Sequence, residues 1–143
     1  NGIENKIMNK IFEEIKKERE AQDLRFGEQN YPVLEPNRSI QDADLMCNYY
    51  KIPTENEAKT TVVNKMENGD LTWMDLLIEE IAEVASSQTD TMHMRKELIQ
   101  CAALIVATIE CIDRKQKEEA FNQCKLIYEY AYVFNKKGWV DYE

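Results

Sequence analysis

Two stretches set the terms for the whole chain. They are LTWMDLLIEEIAEVASS, residues 71–87, and MRKELIQCAALIVATIECID, residues 94–113. Both have helical periodicity, and both place acids where an apolar residue belongs. On a wheel of about 100° per residue, Trp73, Leu76, Leu77 and Val84 define an inward arc of the first stretch. Glu80 falls inside that arc, Glu83 at its edge, and Glu79 and Asp75 farther round. In the second stretch only Gln100, Thr108 and Glu110 are polar between positions 98 and 112, so that segment is expected to be buried nearly all round. Glu97 shares an arc with Cys101, Leu104 and Thr108, and Gln100 lies one turn on. An uncompensated buried carboxylate costs several kcal/mol, so inward acids call for a partner. Glu80 and Glu83 on one helix, and Glu97 and Gln100 on the other, are i, i+3 pairs whose side chains converge. Antiparallel packing would gather them into an oxygen-rich cage suited to Mg²⁺ or Mn²⁺.

The rest of the chain supplies helices around this pair. Residues 3–24 carry Ile3, Ile7, Met8, Ile11, Phe12 and Ile15 at helical spacing. The stripe then turns polar through Arg19 and Gln22, which reads either as a helix end meeting solvent or, with Asp23, as one wall of a polar pocket. Gly27 ends the helix with an accessible left-handed turn. Residues 28–53 hold prolines and turn formers and read as a loop with one short helix near 41–50. Thr54 caps a helix over 55–68 that Gly69 closes. Its apolar content is thin, which places it at the periphery, and the 28–70 segment as a whole reads as an insertion. Thr72 caps the helix over 73–87, residues 88–89 turn, and Asp90 caps a helix running to about 114. A last helix is expected over 117–135, stopped by Gly138. No strand-like alternation of useful length occurs. The expected fold is therefore all-α, one antiparallel helical bundle spanning residues 1–143.

Charge and cysteine usage narrow the function classes. The 143 residues carry a net charge of -9, which argues against a broad grip on a nucleic acid polymer. A small phosphorylated ligand remains compatible, because a divalent cation bridges carboxylate to phosphate. No apolar run is long enough to cross a bilayer. Cys47, Cys101, Cys111 and Cys124 form no CxxC pair, so no disulfide framework is expected, and the cytoplasm is the natural compartment. The single histidine, His93, reads as a surface residue of a first turn. One histidine leaves neither a Glu-x-x-His di-iron site nor a Cys–His pair.

Three segments carry a family resemblance: EREAQDLRFG (18–27), WMDLLIEEIAEV (73–84) and MRKELIQCAALIVATIE (94–110). In order and spacing they resemble the MazG-like all-α nucleoside triphosphate pyrophosphohydrolases, over about half the chain. The resemblance implies Mg²⁺-dependent cleavage between the α- and β-phosphates, with Mn²⁺ a possible substitute, giving a monophosphate and pyrophosphate. It implies Glu80, Glu83 and Glu97 as metal ligands and Glu79 as the first acid of the E-E-x-x-E motif. The family's second pair is E-x-x-D, and this chain has Gln100 at the Asp position, which removes one negative charge from the cage. Glu110 and Asp113 project from the other side of their helix. Glu79 or Glu83 is the expected acceptor of the water's proton. Arg19, Lys96 or Lys125 would hold phosphate charge, and Gln22, Asp23 and Trp73 complete the expected substrate side. The family implies a homodimer or homotetramer. Two other readings stand beside the enzyme: a binding module of the same fold without turnover, favoured by Gln100, and an acidic helical interaction protein, with the tyrosines at 128, 130 and 132 as a packing or oligomer surface.

Overall fold

A computed structural model describes residues 2–36 and 42–138, and every described element is helical. The helices are α1 (Gly2–Phe26), α2 (Ala43–Tyr49), α3 (Glu55–Asn68), α4 (Trp73–Ser86) and α5 (Thr91–Gly138). The chain divides into two compact units, Asn1–Thr108 and Ile109–Glu143. The second consists, among the described residues, of the latter part of α5.

Local chemistry sets most of the boundaries. Gly27 takes φ 67° and its N–H returns to the Asp23 carbonyl at 2.8 Å, closing α1. Asp42 caps α2 by accepting from the Asp44 N–H. Of the short helix expected near 41–50, position 41 lies outside the described residues. Thr54 and Glu57 form a capping box on α3, and Gly69 ends that helix at φ 76°. Thr72 and Asp75 form a second capping box on α4. Such reciprocal pairs satisfy amide donors that a helix start otherwise leaves open.

Three expectations need correction. First, α5 runs unbroken through 115–116, where two helices were expected. Lys115 and Gln116 are good helix formers, and neither Gly nor Pro interrupts the run before Gly138. Second, α3 is not peripheral: it packs directly on α4. Its buried residues, Ala58 and Val62, are small, and small side chains let two helices approach closely. Third, the 98–112 segment is not buried all round. Cys101 and Val106 face inward, whereas Ile99 and Ile105 are 55% and 44% exposed. The stripe of α1 behaves similarly, with Ile11 buried and Ile3, Phe12 and Ile15 exposed.

The core of the first unit is built on α4. Met46, Cys47, Ala58, Ala82 and Ala85 form one buried cluster, joining α2 and α3 to α4. Val84, Met94 and Cys101 form a second, with Leu77 packed against it, joining α4 to α5. Leu34, from the loop after α1, packs against both. Cys47 is fully buried, with its thiol 3.8 Å from the Ala82 carbonyl.

Candidate metal centre

The centre is set by how α4 is held on either side. Toward α3, the Lys65 ammonium donates to Asp75 Oδ1 at 2.8 Å, while Asp75 Oδ2 accepts from the Thr72 N–H at 3.0 Å. The Lys65 contact, then that of Thr72, hold the Asp75 carboxyl down at about 2. This pins the first turn of α4 to α3. At its other end α4 passes to α5 through a tight turn over 87–90. Gln88 takes φ 53°, a left-handed conformation uncommon outside glycine. Asp90 Oδ1 then accepts from the His93 N–H at 3.0 Å and starts α5.

This geometry brings together the three acids expected to ligate a cation. Oxygens of Glu80, Glu83 and Glu97 all lie within 4.8 Å of one another. Glu97 is 1% exposed and, among the described residues, the largest fully buried side chain, with Cys47 next. Glu80 Oε2 is buried with no hydrogen-bond partner. Burial, then the charges of Glu83, Glu97 and Glu79, push the Glu80 carboxyl up. Burial likewise raises Glu97, reinforced by a hydrogen bond with Glu83. Like charges this close resist joint ionisation. At Glu80 the result is one buried carboxylate oxygen without a donor beside two further acids.

The donor set fits one. It is all oxygen and formally triply negative when ionised, the preference of Mg²⁺ or Mn²⁺ rather than of a soft metal. Ligand atoms at about 2.1 Å from Mg²⁺ stand about 3–4 Å apart, so small side-chain movements would close the cluster on an ion. Burial, then the charge of Glu80, push the Cys101 thiol up, which disfavours its thiolate in the metal-free centre.

The other expected site residues fall into two groups. Gln100 belongs to the centre: its Nε2 donates to Glu97 Oε2 at 2.8 Å, so in this state the amide orients Glu97. Lys96 stands at the rim, 4.0 Å from Glu97 Oε1 and 72% exposed. Glu79 is half-buried and outside the trio, contributing charge to it. Arg19, Gln22 and Asp23 instead bond among themselves along α1. Arg19 donates to Gln22 at 2.6 Å and to Asp23 at 2.5 Å, and Gln22 donates to Glu18. Trp73 begins α4 two turns before Glu80 and is 38% exposed; of the expected inward arc Val84 is buried and Leu77 packs against its cluster, and Ala82 and Ala85 join them on the buried face. Lys125 pairs with Glu129 within the second unit.

His93, exposed as expected of a first-turn residue, and Lys59 also reach the centre, contacts that the sequence reading did not name. His93 Nδ1 lies 3.4 Å from Glu97 Oε1, and the i, i+4 spacing of His93 and Glu97 was the available signal. Lys59, from α3, reaches Glu83 Oε1 at 3.3 Å and also pairs with Glu55. No local pattern announces that contact, because it depends on α3 lying against α4.

No family model matches the chain, and no curated protein or solved structure matches it. No helix among the described residues is long and apolar enough to cross a membrane.

Proposed function

We propose that this protein is a divalent-cation-dependent hydrolase of nucleoside triphosphates, or of a related nucleotide pyrophosphate, built on a MazG-like bundle. The observation that carries this reading is the Glu80–Glu83–Glu97 cluster with one buried Glu80 oxygen lacking any donor. The motif resemblance at 18–27, 73–84 and 94–110 supplies the substrate class. Glu80, Glu83 and Glu97 would hold Mg²⁺ or Mn²⁺, and Gln100 would offer its amide oxygen by rotating. A bound cation supplies neutralisation of phosphate oxygens and a lowered pKa for water. Glu79, beside the cluster but outside it, is the carboxylate free to accept the water's proton, with Glu83 the alternative. Lys96 at the rim suits a phosphate oxygen. Arg19, Gln22, Asp23 and Trp73 remain proposed substrate contacts.

The exposed apolar residues of α1 and α5 support assembly into a homodimer or homotetramer. Ile3, Phe12, Ile99, Ile105 and Ile112 are all exposed in the single chain, and exposed large apolar side chains gathered in patches mark interfaces. Sedimentation should return two or four times the 16.8 kDa chain mass; a monomer at every concentration tested removes this part of the reading.

A panel of nucleoside triphosphates with Mg²⁺ or Mn²⁺ tests the chemistry. Pyrophosphate release that stops on chelation is the expected result. The second reading, a binding module without turnover, rests on Gln100 donating to Glu97 rather than adding charge. It predicts that metal raises the melting temperature while no nucleotide is cleaved. A protein indifferent to metal in both measurements has no such centre.

A further inference from the structure

The acids that make a cation site also make a poor place for a polyphosphate. Beside Glu80, Glu83 and Glu97 stands Glu79, Glu55 shares Lys59 with Glu83, and the substrate of the proposed reaction is itself strongly anionic. Charge must be supplied from the protein as well as from a bound metal. Of the basic groups at the centre, Lys96 meets Glu97 at 4.0 Å from a largely solvated side chain. An exposed pair at that distance contributes little. Arg19 is engaged with Gln22 and Asp23 along α1.

Lys59 is placed differently. It comes from α3, a separate helix whose position is fixed by the neighbouring Ala58, by Val62 and by the Lys65–Asp75 bond. Its ammonium bridges Glu55 on its own helix and Glu83 on α4. The side chain is 46% exposed, so it reaches solvent while touching one of the three clustered acids. Glu83 is therefore shared between the Lys59 ammonium and the place a divalent cation would occupy. An ammonium is a compact point charge on a flexible stem, well suited to moving between carboxylate and phosphate.

Resting on the function proposed above, we propose that Lys59 is the phosphate-binding cation of this centre. Its ammonium is held by Glu83 in the metal-free protein. It leaves Glu83 when a divalent cation is bound there, remains tethered by Glu55, and meets a non-bridging oxygen of the incoming polyphosphate.

Metal alone and inorganic tripolyphosphate separate this from a structural role. In Mn²⁺ titrations of the full chain, Lys59→Met should bind the ion about 3- to 10-fold more tightly than wild type, because a competing positive charge is gone. With Mn²⁺ saturating, tripolyphosphate should bind Lys59→Met about 10-fold more weakly, and Lys59→Arg should hold it close to the wild-type level. Lys59→Gln provides the same comparison with a polar stem should the methionine variant fold poorly. A lysine that merely joins α3 to α4 would lower the melting temperature of these variants and shift neither affinity in those directions. Tripolyphosphate bound equally by wild type and Lys59→Met, or Mn²⁺ bound more weakly by the variant, overturns the assignment of Lys59 alone. Failure of the wild-type chain to bind Mn²⁺ overturns the centre itself.

Discussion

Glu80→Gln is expected to raise the melting temperature of the metal-free protein and to remove most of the rise that Mg²⁺ or Mn²⁺ produces. The first effect follows from the Glu80 oxygen that is buried without a donor. Its carboxyl is raised by burial and by three neighbouring acids, so the folded state holds this proton more tightly than the unfolded chain does. Stability from such a group is present below the unfolded value, 4.5, and falls as pH rises toward the folded one. Glu97, raised by burial and by Glu83, acts in the same direction. Metal-free wild type should therefore lose stability as pH climbs above about 4.5, and Glu80→Gln should flatten that slope. The second effect follows from mass action. Metal at about 100 times its dissociation constant stabilises by about 2.7 kcal/mol, or about 10 °C in a chain of this size. Losing one of three charged ligands should leave only a few degrees of that rise, and pyrophosphate release should fall with it. Melting curves over pH, with and without Mn²⁺, measure both. An equal metal-induced rise in wild type and variant would show that Glu80 is not a ligand.

The acids of this centre were legible in the sequence because they violate a pattern: a Glu within an apolar arc needs a partner wherever the helix packs. The helix ends at Thr54, Gly69 and Thr72 were legible because capping is a property of a few adjacent residues. What escaped was tertiary. Ala58 and Val62 add little to a count of apolar residues, yet their small size admits α3 onto α4 and delivers Lys59 to Glu83. The nearly unbroken apolar run of 98–112 reads as buried all round, because composition alone does not say which side is covered. Ile99 and Ile105 stay about half exposed among the described residues. The break expected near 115 failed for a local reason, since nothing at Lys115 or Gln116 opposes helix and the charged positions there simply face solvent. Arg19 and Asp23, which read either as a helix end meeting solvent or as a pocket wall, satisfy one another at i, i+4, an option open to any solvated helix.

Gln100→Asp should tighten divalent-metal binding by about 10-fold, since charge count is the main control on affinity in carboxylate sites. It should also lower the metal-free melting temperature by a few degrees. At present the Gln100 amide donates to Glu97 Oε2 at 2.8 Å, a hydrogen bond that favours the ionised form of a nearly inaccessible carboxylate. Aspartate would withdraw that donor and add a fourth negative charge, pushing Glu97 further up and penalising the empty centre. With metal bound the same charge becomes an advantage. Gln100→Ala separates the two contributions: it removes the donor without adding charge, so it should lower the metal-free melting temperature and leave metal affinity no better than wild type. Isothermal titration with Mn²⁺ on the three proteins reads the affinities directly. If Gln100→Asp binds no more tightly than wild type, position 100 lies beyond the reach of the ion, and the role of Gln100 is confined to orienting Glu97. If affinity rises and pyrophosphate release rises in parallel, the missing charge is what limits the natural chain. A rise in affinity with release still absent would place the limit elsewhere, among the groups that must hold phosphate and accept the proton, beginning with Lys59 and Glu79.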